Sequence, residues 1–408
     1  MKKKIRLLLV VICILSVCVF AGLIAIALDI RSNADSNKNQ KTYVTPLPTP
    51  IQSNTESENK NEAKADNEKE QNQPMQEEPT VSATPTTAVE PVVLAFAGDV
   101  NLDEASAPVK KYDTENKDIS KCLSEDLLEE MINADIMMLN NEFVYSRRGK
   151  KEENKSYTFR ADPDRVEILK KMGVDIVSLA NNHALDYGQD ALLDTFSTLE
   201  EAAIDYVGAG KNIDRAKAPI YYEAGGRKIA FVAASRVIFA GSWYATEDRP
   251  GMVGTYDPSF FLESIKEARA NSDYVIVYVH WGRERINYPE KYQRTLAQAY
   301  IDAGADAVIG CHPHVMQGFE FYKGKLIAYS LSNFWFSRAT VESALLKLHI
   351  DTDGNITCQL LPVMSKNCYT YLINDKKEKD EYFDFIRKIS FDVEIDDDGI
   401  ITPAKSEK

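Results

Sequence analysis

Five apolar, β-branched runs between residues 92 and 311 each end on Asp, Glu, Asn or His. Asp99 lies in VLAFAGDVN and Glu142 follows IMMLNN. Asn182 and His183 follow VSLAN, His280 lies in VIVYVHWGRE, and His312 and His314 lie in AVIGCHPHV. Runs of this length and composition read as buried strands. Stretches with helical spacing lie among them, as at Leu123, Leu127, Leu128 and Met131. Such alternation restricts the chain to a layered α/β domain, with central β-sheets flanked by helices. In open sheets of that kind, side chains just past the carboxyl ends of strands converge on one crevice. Imidazoles and carboxylates gathered there suggest a metal site.

The pattern places further strands at 135–139, 174–179, 229–234, 274–279, 307–309 and 326–329. It places helices at 120–133, 162–172, 188–203, 258–270 and 292–303. After residue 340 the alternation stops. The tail 341–408 reads as an α+β extension packed on the sheet edge: a hairpin around Asp353-Gly354, a short helix at EYFDFIRKI, and a last strand-turn-strand. The domain proper is expected over 91–340.

Ahead of it, residues 7–28 carry no charge over 22 positions and follow the basic MKKKIR. That length spans a bilayer as a helix, and the basic flank sets the N-terminus in the cytoplasm. Residues 1–29 are therefore expected to form a transmembrane anchor, favoured over a cleaved signal peptide because the apolar run is long for that role. The cell-membrane protein so described is single-pass, with its C-terminal domain extracytoplasmic. Residues 30–90 are dominated by Asn, Lys, Glu, Gln, Thr, Ser and Pro, with Tyr43 the one aromatic, and read as a disordered polar linker. The net charge of -14 opposes binding to a phosphate backbone, so nucleic acid is not expected as a partner. The six cysteines contain no CxxC pair and form no thiolate metal framework.

Taken singly, the strand-end residues differ in weight. Asp99 alone reads as a turn or helix-capping aspartate, and Glu142 alone as a loop carboxylate. The Asn181-Asn182-His183 triplet is poor packing material after a buried strand and favours function. His280 gains weight from its counterparts at the other strand ends. His312-Pro313-His314 is the sharpest signal, because proline fixes the backbone between two imidazoles. The segment Ser330–Phe334 either donates hydrogen bonds near the site or closes a strand. His349 alternates with leucines and reads as structural.

Seven segments in order, AGDVN, NNEF, YTFRADP, ANNHALDYG, HWGRE, DAGADAVIGCHPHVMQGFE and YSLSNFWF, resemble the CapA family of poly-γ-glutamate capsule biosynthesis proteins. That family looks like a branch of the calcineurin-like metallophosphoesterase fold. The resemblance runs from about Leu94 to Phe336. It implies that Asp99, Glu142, Asn182, His280, His312 and His314 hold one or two divalent ions (Mn, Fe or Zn), with Glu142 bridging. It implies His183 as general acid or transition-state stabiliser, Glu284 beside the chemistry, and Arg160 and Asn333 on the substrate. Asn101 stands where metallophosphoesterases carry a histidine, Glu142 where they carry aspartate, and Ser332 where the nearer family has glycine. Arg285 replaces an aromatic, and Cys311 a frequent histidine. The function implied is synthesis, export or attachment of an anionic cell-surface polymer, poly-γ-glutamate, by metal-dependent hydrolase or transferase chemistry. Two other readings stand beside it: a non-catalytic scaffold or accessory subunit of a membrane polymer synthase, and a phosphodiesterase acting on nucleotides or lipid head groups.

Overall fold

The computed structural model describes residues 89–405. The expected anchor at 1–29 and almost all of the linker at 30–90 lie outside the described residues. Among the described residues no helix is long and apolar enough to cross a membrane.

Two sheets form the body. The first runs, edge to edge, through Val393–Ile395, Ile400–Pro403, Ile356–Lys366, Val341–Ile350, Val92–Val100, Ile136–Asn141, Ile176–Ser178 and Asp205–Val207. The second runs through Met316–Tyr322, Lys325–Leu331, Ala307–Cys311, Tyr274–His280, Arg227–Ser235 and Ile220–Ala224. The sheets face each other across one apolar cluster. Phe96 meets Phe231 at 6.5 Å between ring centroids, and the Tyr278 hydroxyl donates to the Ala97 carbonyl at 2.7 Å. The helices Ser259–Asn271 and Lys291–Ala303 cover the outer face of the second sheet, with Phe261 packed edge-on against Tyr300 at 5.0 Å.

Parallel pairing gives this sandwich a functional end. Val92–Val100, Ile136–Asn141 and Ile176–Ser178 run parallel in the first sheet, as do Tyr274–His280 and Ala307–Cys311 in the second. All five apolar runs therefore end on named polar residues at carboxyl ends of parallel strands. A register shift between Phe96 and Asp99, and another between Asp99 and Val100, bend the first strand where its carboxylate leaves the sheet. Gly98 makes the bend possible: a Cβ there would lie 1.9 Å from the Ser332 carbonyl oxygen.

Several elements differ from the sequence pattern. The helix expected over 120–133 is a 3-10 turn at Ile119–Lys121 and a helix at Glu125–Ile132. Leu123 and Ser124 interrupt it, because that backbone pairs with Thr370 instead. The stretch 162–172 likewise divides into a 3-10 turn at Pro163–Arg165 and a helix at Val166–Lys171. Two antiparallel edge strands, Ile220–Ala224 and Met316–Tyr322, were not implied by the alternation. Each joins its neighbour through a two-residue left-handed turn, Gly225-Gly226 and Lys323-Gly324.

The tail is more deeply built in than an extension resting on an edge. Val341–Ile350 pairs antiparallel with Val92–Val100, and Ile356–Lys366 pairs with Val341–Ile350 over ten residue pairs. The region past residue 340 is thus continuous with the first sheet. The reason lies in burial: Leu346, Leu348 and Leu360 enter the same apolar cluster as Phe96.

Candidate metal centre

The carboxyl ends of both sheets bring Asp99, Glu142, His183, His280, His312 and His314 within a few ångströms of one another. Two sets of potential ligands share one residue: Glu142, His280 and His312 form one, and Asp99, Glu142 and His314 the other. In each set the ligand atoms lie within 4.8 Å of one another. Glu142 Oε1 is 3.9 Å from His280 Nε2, 4.0 Å from His314 Nε2 and 3.8 Å from His183 Nε2. His314 Nδ1 stands 3.4 Å from Asp99 Oδ2. Asp99, Glu142 and His280 are wholly buried.

The backbone at the histidine pair is strained. His312 and His314 have φ of 96° and 58°, in the left-handed region that L-residues rarely adopt. Each such position costs on the order of 1–3 kcal/mol and persists where surrounding structure enforces it. Here the enforcing contact is the His312 amide, which donates to Asp99 Oδ2 at 3.1 Å.

Hydrogen bonds fix the surroundings. Asn140, which the sequence pattern did not single out, donates its Nδ2 to Asp99 Oδ1 at 2.8 Å and to Glu142 Oε2 at 3.2 Å. Asn181 holds Asn140 in turn, donating to its Oδ1 at 3.0 Å, and accepts from the His183 amide. Asn182 Oδ1 lies 2.6 Å from His280 Nε2. His183 Nδ1 is 2.6 Å from Asp186 Oδ2, and Phe159 stacks on the His183 ring at 4.2 Å. Asn333 Oδ1 lies 2.8 Å from His314 Nδ1.

The remaining expected residues sit farther out. Glu284 is exposed in the segment after His280, and its charge favours the protonated form of His314. Arg160 is half-buried, stacked over Tyr187 at 4.1 Å and donating to the Arg148 carbonyl, and neither partner is a ligand candidate. Asn101 Oδ1 accepts from the Asp103 amide at 2.8 Å, so the residue in the histidine position closes a turn.

Electrostatics sort the groups. Burial pushes the Glu142 carboxyl well above its usual range, and the neighbouring Asp99 charge adds to this. Burial acts on Asp99 in the same direction, but His314, His280 and Asn140 outweigh it and hold that carboxyl well below the usual range. Burial, then His312, keeps His280 neutral, and burial with His314 lowers His312 to about 3. Burial also lowers His183 despite Asp186. His314 is raised, because Asp99 overcomes its burial. Neutral imidazoles at His280 and His312 offer the lone pairs that a metal needs.

Two unpaired atoms test whether a cation fits. Glu142 Oε1 and His312 Nδ1 are buried without a hydrogen-bond partner. Leaving such an atom unsatisfied costs about 1–3 kcal/mol, and both belong to the ligand sets. The mixed nitrogen and oxygen donors suit Mn, Fe or Zn better than Mg or Ca. Cys311 Sγ lies 3.2 Å from His280 Nδ1 and joins a third possible set with Asp99. Its thiol is pushed up by burial and by both carboxylates, which favours the nitrogen and oxygen sets.

A family profile described as "Bacterial capsule synthesis protein PGA_cap" matches residues 93–338, which contain every residue of this cluster. The chain belongs to that family. Among its relatives, the "Capsule biosynthesis protein CapA" of Bacillus anthracis is 32% identical over 304 residues, 67% of this chain and 73% of that protein. The "PGA biosynthesis protein CapA" of Bacillus subtilis is 36% identical over 224 residues, 54% of this chain and 58% of that protein. A solved structure described as a novel phosphatase from Mycoplasma pneumoniae overlaps with a TM-score of 0.43 at 11% identity, covering 68% of this chain and 95% of that one.

Proposed function

We propose that this protein acts in the synthesis, export or attachment of an anionic cell-surface polymer, poly-γ-glutamate, through metal-dependent hydrolase or transferase chemistry. The observation that carries the reading is the pair of ligand sets joined at Glu142, with its buried unpaired oxygen. The names of the two CapA relatives support the biological setting. The apolar stretch at 7–28 supports a single-pass membrane protein with its folded part outside the cytoplasm.

Asp99, Glu142, Asn182, His280, His312 and His314 would hold one or two divalent ions, which supply Lewis acidity and a more acidic bound water. The chain's own groups do the rest. Asp186 fixes the His183 ring by its Nδ1 and leaves Nε2 facing the crevice for proton transfer. Asn140 holds Asp99 and Glu142 together, and Asn333 orients His314. The folded part is acidic, so a polyanion must be held locally by the metal and by arginines such as Arg160.

The test combines metal analysis of the purified chain with incubation on poly-γ-glutamate. Bound Mn, Fe or Zn that is lost in His312→Ala, together with a metal-dependent change in polymer length or attachment, supports the proposal. Less than about 0.2 metal per chain, with wild type and His312→Ala alike on the polymer, sinks the catalytic reading. That result leaves a non-catalytic subunit of a membrane synthase. A relative from Mycobacterium tuberculosis, named "Probable polyglutamine synthesis accessory protein" and 31% identical over 204 residues, 48% of this chain and 54% of that protein, gives that second reading its support. A phosphodiester panel run in parallel separates a nucleotide or lipid-head-group phosphodiesterase.

A further inference from the structure

Lys155 lies in the irregular stretch between Tyr145 and Arg160, a run of charged and polar residues that resembles ordinary surface sequence. Its surroundings are not those of a surface lysine. The side chain is 9% exposed. Its ammonium donates to the Asn182 carbonyl and to Asp186 Oδ1, and stands 3.1 Å from His183 Nδ1. The Trp243 ring closes over it at 5.0 Å from the centroid. Asp186, its carboxylate partner, is wholly buried. Other lysines of the fold, such as Lys150 with Glu153 and Lys170 with Glu167, pair on the open surface.

Burying an ammonium is costly unless its partners are fixed and complete. Each partner of Lys155 borders the metal centre. The Asn182 carbonyl belongs to the residue whose side-chain oxygen reaches His280 Nε2. Asp186 Oδ2 takes the Phe159 amide and His183 Nδ1, both at 2.6 Å, while Oδ1 takes Lys155. The Glu152 amide donates to the Asp186 carbonyl at 2.8 Å, so one short stretch grips the Asn181–Asp186 turn at several points.

We infer that Lys155 is a positioning residue of the metal centre, one that holds the Asn182 backbone and the His183–Asp186 pair in the geometry the ligands require. This rests on the metal-centre reading above. The ammonium touches neither the ligand atoms nor the crevice between Glu142 and His280. It acts through the turn: it tethers Asn182 by its carbonyl, and the side chain carried on that backbone reaches His280. Residues that orient metal ligands from behind typically change affinity by about 10–100-fold when removed.

The experiment uses the full chain and Mn2+ as the probe, read by isothermal titration and by the electron paramagnetic resonance spectrum of the bound ion. The variants are Lys155→Met, Lys155→Met/Asp186→Asn, Lys150→Met and His280→Ala. Thermal unfolding of metal-free protein reports folding. In the double variant no uncompensated charge remains buried, so its folding is expected to be close to wild type. Expected are a loss of about tenfold or more in Mn2+ affinity and an altered spectrum in both Lys155 variants, with Lys150→Met unchanged. A folded double variant with wild-type affinity and spectrum overturns the inference, even where His280→Ala abolishes binding and the metal reading stands. Absence of Mn2+ binding in wild type overturns the metal reading, and the inference falls with it.

Discussion

Glu142 Oε1 lies 3.9 Å from His280 Nε2 and has no hydrogen-bond partner, although the carboxylate is wholly buried. The same oxygen is 4.0 Å from His314 Nε2, in the other ligand set. Glu142 is therefore the one residue on which both sets depend. Glu142→Ala is expected to remove all bound metal, whereas His314→Ala strips one set and leaves Glu142, His280 and His312 intact. Elemental analysis after gel filtration checks this. Equal metal content in the two variants would show that Glu142 does not join the sets.

Acid should weaken the metal-free protein through His312. The folded state lowers His312 from 6.5 to about 3, chiefly by burial and then by His314. A base with a depressed folded pKa binds fewer protons folded than unfolded, so stability falls as pH drops from about 6.5 toward 3. Glu142 has the opposite sign. Its raised carboxyl holds a proton in the folded state, and stability from that source fades as pH rises above the unfolded value of 4.5. Melting temperatures of chelator-treated wild type, His312→Asn and Glu142→Gln across pH 4–7 separate the two. Relative to wild type, His312→Asn is expected to lose less stability at the acid end. Glu142→Gln is expected to gain relative stability as pH rises.

The sequence reveals this site unevenly, for physical reasons. Buried parallel strands are written as apolar runs, so the strand ends bearing Asp99, Glu142, His280 and His312 can be read directly. Which sheet each joins depends on pairing between distant segments, and no local pattern carries that. The tail shows the same limit: its hairpin is legible around Asp353-Gly354, but its seat beside Val92–Val100 is a contact across more than 240 residues. Asn140 is one of two adjacent asparagines, and only the pleat of the strand decides which faces Asp99. Lys155 has no local signal at all, since its burial comes from Trp243 and the Asn181–Asp186 turn folding over it.

Ser332 occupies a place better suited to glycine. It has φ of 66°, it is wholly buried, and its hydroxyl has no partner. Its carbonyl still matters, because it accepts from the Asp99 amide at 2.9 Å. Ser332→Gly keeps that bond while relieving a left-handed L-residue, worth about 1–2 kcal/mol, and an unsatisfied hydroxyl, worth about 1–3 kcal/mol. Glycine's greater freedom in the unfolded chain costs about 0.5–1 kcal/mol in return. The expected outcome is a net gain of about 1 kcal/mol or more in denaturant unfolding, with metal content unchanged. A loss of stability would mean that the serine hydroxyl has a partner in solution.

Truncation after residue 340 tests whether the tail is separable. The cut opens one side of the strand Val92–Val100 over Val92–Phe96, while Asp99 and Val100 keep Asn333–Trp335, and it deletes Leu346, Leu348, Leu360, Phe383 and Ile386 from the core. Each such side chain contributes about 1.5–3 kcal/mol through burial. Together they equal or exceed much of the 5–15 kcal/mol that typically separates folded from unfolded domains. A newly exposed apolar strand edge also invites association between chains. Residues 91–340 are therefore expected to be insoluble or unfolded by circular dichroism, whereas residues 89–405 fold and melt in one cooperative transition. A monomeric, cooperatively melting 91–340 fragment would show that the first sheet closes at Val92–Val100 without its C-terminal strands.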